Sequence, residues 1–201
     1  LILSGEGRNP PLMMGTTADE FDFMIMIEEI ETEQEYESWV RTTYPEIADR
    51  VLAAYPAQAY GLPRLAAAAV QTDQFFICPT SSNLQALAGV NDQLYQYLFT
   101  YVPSPTRFLD VGSYHAAELY YLFNSFDDVI DYRKAVQVSR NTASLWTSFA
   151  RDGVPAAGGI TWPAFTAHEQ QYLVIDSELS TGSQLRRDYC DLWSCCEQYQ
   201  P

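Results

Sequence analysis

The sequence holds two histidines, at positions 115 and 168. Imidazole changes charge near neutral pH, so a well-placed histidine is the usual general base. His115 follows Gly112-Ser113-Tyr114, downstream of an apolar, aromatic run from Leu94 to Tyr101 (LYQYLFTY) that reads as a buried strand. In α/β folds reactive groups gather just beyond the C-terminal ends of strands. His115 is therefore a candidate base, against the plainer reading of a histidine tied to a backbone carbonyl. His168 lies in a polar run (Ala-His-Glu-Gln-Gln) and reads as solvated.

Glu20 has the matching position on another element. Pro11-Leu12-Met13-Met14-Gly15-Thr16 reads as a short buried strand, and Thr17-Ala18-Asp19-Glu20 as the loop it feeds. A carboxylate at a strand end can hold and charge-stabilise an imidazole. The competing reading is an acidic, solvated loop, since Asp19 and Asp22 flank it. The order acid then histidine is that of the Ser…Asp/Glu…His hydrolases, whose nucleophile sits earlier on a Gly-x-Ser-x-Gly turn. No such motif occurs here. Gly112-Ser113-Tyr114 and Gly182-Ser183-Gln184 both lack the second glycine. A nucleophile would have to come from elsewhere.

Several elements must position these groups. Thr32 and Glu35 predict a capping box opening a helix, with Tyr36, Trp39 and Val40 on its apolar face. Ile47, Val51 and Leu52 continue at helical spacing. Leu62 to Ala88 reads as two helices broken near Cys78-Pro79. Ala116 to Phe123 reads as a helical turn, and Arg133 to Arg151 as a long helix capped by Gly153. Gln171 to Asp176 reads as the final strand, and Leu185 to Tyr199 as a terminal helix. Helices alternating with about three strands predict an α/β fold. That is too little sheet for an independent domain, so further strands are expected from residues before Leu1.

Composition narrows the functional classes. The chain is 47% hydrophobic and 14% aromatic, ample for a packed core, and has a formal net charge of −15 with Lys134 as its only lysine. That charge disfavours nucleic acid and anionic membrane surfaces. No apolar run reaches the ~18–20 residues of a membrane span. The four cysteines (Cys78, Cys190, Cys195 and Cys196) show no zinc spacing, and no metal site is expected. Their even number favours disulfides and an oxidising compartment. Cys195 and Cys196 are adjacent and cannot bridge to each other without strain. The first residue is Leu1, without an initiator Met or a signal-peptide pattern, which reads as a cut inside a longer protein.

A series of blocks then resembles the type-B carboxylesterase and cholinesterase-like family, over its C-terminal part. Pro11-Leu12-Met13-Met14-Gly15-Thr16-Thr17-Ala18-Asp19-Glu20 resembles the strand leading to the family's triad glutamate. Gln71-Thr72-Asp73-Gln74-Phe75-Phe76-Ile77-Cys78-Pro79 resembles the helix with half of a disulfide. Tyr97-Leu98-Phe99 resembles the strand before the catalytic histidine, and Gly112-Ser113-Tyr114-His115-Ala116-Ala117-Glu118-Leu119 resembles the family's His-Gly-x-Glu-(Ile/Leu) loop. Leu145-Trp146-Thr147-Ser148-Phe149-Ala150-Arg151-Asp152-Gly153 with Pro155, Trp162-Pro163-Ala164-Phe165, and Cys190-Asp191-Leu192-Trp193 follow in the family's order.

The resemblance implies the C-terminal portion of an α/β-hydrolase fold, helix-rich with a few strands of a larger mixed sheet, spanning residues 1–201. It implies a carboxylic ester hydrolase with Glu20 as triad acid and His115 as base. Glu118 would be a carboxylate near the histidine or an ordinary helix-start glutamate. Cys78 would pair with Cys190, and Asp73 would make a structural hydrogen bond. Serine and oxyanion loop would come from an N-terminal segment of the same protein, the expected partner, and this chain alone would be inactive. No cofactor is implied, the substrate would be a small ester, and the location would be secreted or periplasmic. Phe21 and Ala116 stand where the family has glycine, which leaves Asp19 or Asp22 as alternative acids. A non-catalytic binding or adhesion relative, and an amidase or lactonase on the same fold, are the other functional readings.

Overall fold

In a computed structural model, residues 9–194 are described. Six strands and seven α-helices follow in chain order: β1 (Leu12–Thr17), α1 (Glu33–Thr43), α2 (Ala48–Ala54), α3 (Pro63–Thr72), α4 (Cys78–Leu87), β2 (Leu94–Phe99), α5 (Ala117–Leu122), α6 (Tyr132–Asp152), β3 (Ala156–Ala157), β4 (Ile160–Thr161), β5 (Gln171–Ile175), β6 (Ser180–Ser183) and α7 (Arg187–Ser194). The main sheet has the order β1-β2-β5-β6. β1, β2 and β5 are parallel, and β6 runs antiparallel to β5. This is the expected α/β architecture, with both faces of the sheet covered by helices as parallel strands require.

Alternation along β2 sorts side chains to the two faces. Tyr95, Tyr97 and Phe99 join Tyr121, Val138 and Leu145 beneath α5 and α6. Leu94 packs on the opposite face with Leu84 of α4 and Phe165, and there Gln96 donates to Ser81 Oγ at 2.8 Å. Gly15 of β1 lies opposite Tyr97 in register, and a Cβ there would fall 2.3 Å from the Tyr97 ring, so only glycine fits. A separate helical core gathers Tyr36 and Val40 of α1, Val51 of α2, Ala66–Ala68 and Val70 of α3, and Trp193 of α7.

The capping box forms as its sequence requires: Thr32 Oγ1 accepts the Glu35 N–H, and Glu35 Oε2 accepts the Thr32 N–H at 2.8 Å. Gly153 closes α6 at φ 72°. The Leu62–Ala88 segment forms two helices, as expected, and the junction just ahead of Cys78-Pro79 is a π-helical turn, Asp73–Ile77, that joins α3 to α4, with Pro79 in the first turn of α4. One expectation needs correction. Gln171–Ile175 is not the last strand, because Ser180-Thr181-Gly182-Ser183 pairs back on it. The polar, small composition of β6 suits an exposed edge and carries no apolar alternation to reveal it. The terminal helix is described only to Ser194. Cys195, Cys196 and the helix expected to Tyr199 lie outside the described residues.

Cys78 and Cys190 are joined in a disulfide across 112 residues of sequence, tying the start of α4 to α7. Beside it Asp73 takes both a bidentate pairing from Arg186 and the Tyr55 hydroxyl at 2.8 Å, and Tyr55 accepts from the Trp193 indole at 3.0 Å. Asp73 thus has the structural hydrogen-bonding part expected of it. Replacing Cys78 and Cys190 together by serine is expected to cost about 2–5 kcal/mol, because so long a loop is released in the unfolded chain. Denaturant unfolding of the intact protein checks this, and an unchanged midpoint would contradict it.

Candidate active site

β1 and β2 are adjacent and parallel, so they deliver their following loops to the same edge of the sheet. Glu20 lies three residues beyond β1, in a turn whose backbone is tied to the strand ends: the Ala18 N–H donates to Phe99 O at 2.9 Å. The side chain curls back so that Oε1 accepts the Thr17 N–H at 2.7 Å. Oε2 faces the other loop and meets His115 Nδ1 at 2.6 Å. Glu20 is buried, with a side chain only 5% exposed, whereas the His115 side chain is 55% exposed. The imidazole is thus gripped on one edge, and among the described residues Nε2 on the other edge has no hydrogen-bond partner.

The two sequence-predicted residues therefore meet across 95 positions of chain. Asp19 and Asp22 do not compete for the imidazole. Asp19 Oδ2 accepts the Ser113 N–H at 2.8 Å, and Asp22 Oδ2 accepts the Gly112 N–H at 2.9 Å. Gly112 is required here, since a Cβ would lie 2.2 Å from Asp19 Oδ2. The two glycine departures are absorbed locally. Phe21 packs its ring against Phe75 and Phe76, and Phe76 lies 5.2 Å from the His115 ring. Ala116 adopts φ 65° at the start of α5, a left-handed conformation that costs an alanine about 1–2 kcal/mol.

Glu118, on the first turn of α5, sits close enough to feel Glu20 and His115. Burial pushes its carboxyl above the usual range, and the negative field of Glu20 adds to this. Its Oε2 is buried with no hydrogen-bond partner among the described residues. Burial also raises the Asp19 carboxyl. It drives Asp22 to about 7, with the charge of Asp19 acting in the same direction and the Gly112 N–H against it. His168 is exposed, as its polar surroundings predict.

Near the site, Phe23, whose ring lies at a tilt on Tyr114, and Phe75, which packs on Phe21, expose apolar surface. The outer edge of β1 has no strand partner among the described residues. The carboxylate clamp on residues 112–113 and the Phe76 contact were not legible in sequence. The signal for the first was the pair of acids flanking Glu20, which composition alone assigns to solvent.

The sequence profile of the carboxylesterase family matches residues 1–193. The chain belongs to this family. It is similar to acetylcholinesterase of Gallus gallus, 30% identical over 128 residues covering 61% of the chain and 17% of that protein. It is similar to para-nitrobenzyl esterase of Bacillus subtilis, 24% identical over 187 residues covering 89% of the chain and 37% of that protein. It is also similar to bile salt-activated lipase of Bos taurus, 30% identical over 147 residues covering 66% of the chain and 24% of that protein. The carboxylesterase-family chain thus spans 17–37% of the length of these relatives.

Asp22 makes stability pH-dependent in this family member. Its carboxyl titrates at 3.8 in an unfolded chain and at about 7 when folded, so between those values the folded form holds the extra proton. Its contribution to stability is therefore present at low pH and falls as pH rises through that window. Asp22→Asn, neutral throughout, is expected to raise the thermal midpoint of the intact protein at pH 8 more than at pH 4. A larger gain at pH 4 would contradict the assignment.

Proposed function

We propose that the protein containing this chain is a serine carboxylic ester hydrolase in which Glu20 is the acid and His115 the general base of the triad. The observation that carries this is the 2.6 Å contact between a buried carboxylate and a half-exposed imidazole, at the ends of two adjacent parallel strands. A solvated acidic loop would leave Glu20 free. Here both its oxygens are engaged, one on its own backbone and one on Nδ1. Membership of the carboxylesterase family supports the ester as the substrate class.

The chemistry follows from which edge of the ring is held. With Nδ1–H donating to Glu20, Nε2 carries the lone pair and can accept a hydroxyl proton. A serine oxygen would attack the ester carbonyl as Nε2 takes its proton. The imidazolium so formed, stabilised by the Glu20 carboxylate, would return that proton to the departing alkoxide. Water would then be activated by the same nitrogen to release the acid and regenerate the serine. The 201 residues hold no Gly-x-Ser-x-Gly turn, so in this reading the nucleophile and oxyanion-binding amides lie outside them, in an N-terminal segment of the same protein. The unpaired β1 edge and the exposed phenylalanines near His115 are suited to being covered by that segment. This chain alone would then be inactive. The Cys78–Cys190 disulfide favours an oxidising location, secreted or periplasmic.

In the intact protein, His115→Gln is expected to lower kcat for p-nitrophenyl acetate by at least ~10³-fold. Glu20→Gln, which keeps the shape but not the charge, should lower it by about 10³–10⁴-fold. Steady-state kinetics check both. Full activity of the His115 variant would end the triad reading.

A further inference from the structure

Resting on that reading, we infer that Asp22 is a positioning residue for the general base: its carboxylate, through the Gly112 amide, fixes the loop that carries His115 at hydrogen-bonding distance from Glu20. Four hydrogen bonds among the described residues fasten the loop at Gly112 and Ser113 to the acid loop and the end of β2. Gly112 and Ser113 are pinned from the acid loop by two consecutive carboxylate–amide bonds, Asp22 Oδ2 to Gly112 N at 2.9 Å and Asp19 Oδ2 to Ser113 N at 2.8 Å. The Asp19 N–H returns a bond to Ser113 O at 3.1 Å, and Ser113 Oγ donates to Phe99 O at 3.0 Å. Three of the four bonds converge on Ser113. Among the described residues Asp22 makes the hydrogen bond from the acid loop to the Gly112 N–H, while the Val111 N–H one residue earlier donates to Thr106 O at 3.3 Å within the histidine segment itself, so Asp22 adds a second attachment to the acid side beside Ser113.

The turn beyond is short and transmits position. The Tyr114 N–H donates to Gly112 O at 3.0 Å, and the Ala117 N–H to Tyr114 O at 3.0 Å, so residues 112–117 form one hydrogen-bonded unit with His115 inside it. Asp22 is itself braced. Its N–H donates to Asp19 O at 3.1 Å, while the preceding Phe21 N–H donates to Thr72 Oγ1 at 3.1 Å on α3. A chain of contacts thus runs from the helical core through Phe21 and Asp22 to Gly112 and His115, separate from the Glu20 contact it supports.

Asp22 is 8% exposed, with the charges of Asp19 and Arg64 acting on it. Burial disfavours its ionised form, a cost asparagine would avoid, so what the position supplies to Gly112 is an acceptor oxygen rather than a charge. The return is geometric, because misplacing a base by ~1 Å can lower turnover by about 10²-fold.

The test uses the intact protein and p-nitrophenyl acetate. Asp22→Ala removes the acceptor and is expected to lower kcat by roughly tenfold with KM within about threefold, a loss of alignment rather than of binding. Asp22→Asn keeps an oxygen at the Gly112 N–H and should restore kcat to within about threefold of wild type. Asp22→Glu keeps the charge but moves the acceptor by one methylene, so it should resemble alanine. It also carries the test should the alanine variant not fold. An unchanged kcat in folded Asp22→Ala or Asp22→Glu overturns the proposal, as does an asparagine variant as impaired as alanine. His115→Gln in the same assay separates the two claims. If it is inert while Asp22→Ala is normal, only the positioning role falls. If it is active, the triad reading falls first.

Discussion

A buried carboxylate placed 2.6 Å from a half-exposed imidazole is the constraint from which the rest of this structure can be understood. An ionised glutamate is costly to bury unless its oxygens are occupied. Here one oxygen takes a backbone amide of its own turn and the other takes the ring, so the burial that would expel the carboxylate instead fixes its direction. The sheet makes this possible. Parallel neighbours β1 and β2 end together, and the long loop after β2 returns to the turn after β1. The paired carboxylates of Asp19 and Asp22 sew that loop down, and Phe76, presented by a π-helical turn, closes on the ring from the side.

The helical core serves this geometry from a distance. Asp73 begins the π turn, pairs with Arg186 and is bound by Tyr55, while Cys78 ends the same stretch in a disulfide to α7. A π turn adds a residue relative to an α-helix and rotates the side chains that follow it. Anchoring both of its ends therefore sets where Phe76 points. One end of this device is an ion pair, whose value depends on burial, and the other is covalent.

Much of this was legible in the sequence. The strands at Leu12 and Leu94 announce themselves as apolar runs stopped by small or proline residues, Thr32 and Glu35 mark a helix start, and Gly153 marks an end. Glu20 and His115 stood out because histidine is scarce and both follow buried strands. The Cys78–Cys190 pairing came from the family resemblance, as spacing alone could not choose it. What was not legible were contacts made between distant segments. Asp19 and Asp22 look like solvated acids until the Gly112 loop arrives from 90 positions away. β6 is invisible because an exposed edge strand of Ser, Thr and Gly has no apolar period. The π turn is hidden because Asp73–Ile77 has the same apolar character as the helices it joins.

The proposed division of roles gives the acid and base to this chain and the nucleophile to another segment. It is tested most directly by mapping the covalent adduct left by a serine-directed phosphonate on the intact protein, with peptide mass spectrometry of wild type and a His115→Ala variant. The account predicts a single stoichiometric adduct on a serine outside these 201 residues, strongly slowed in the variant. An adduct on a serine within this chain, or labelling that proceeds equally well without His115, would contradict it.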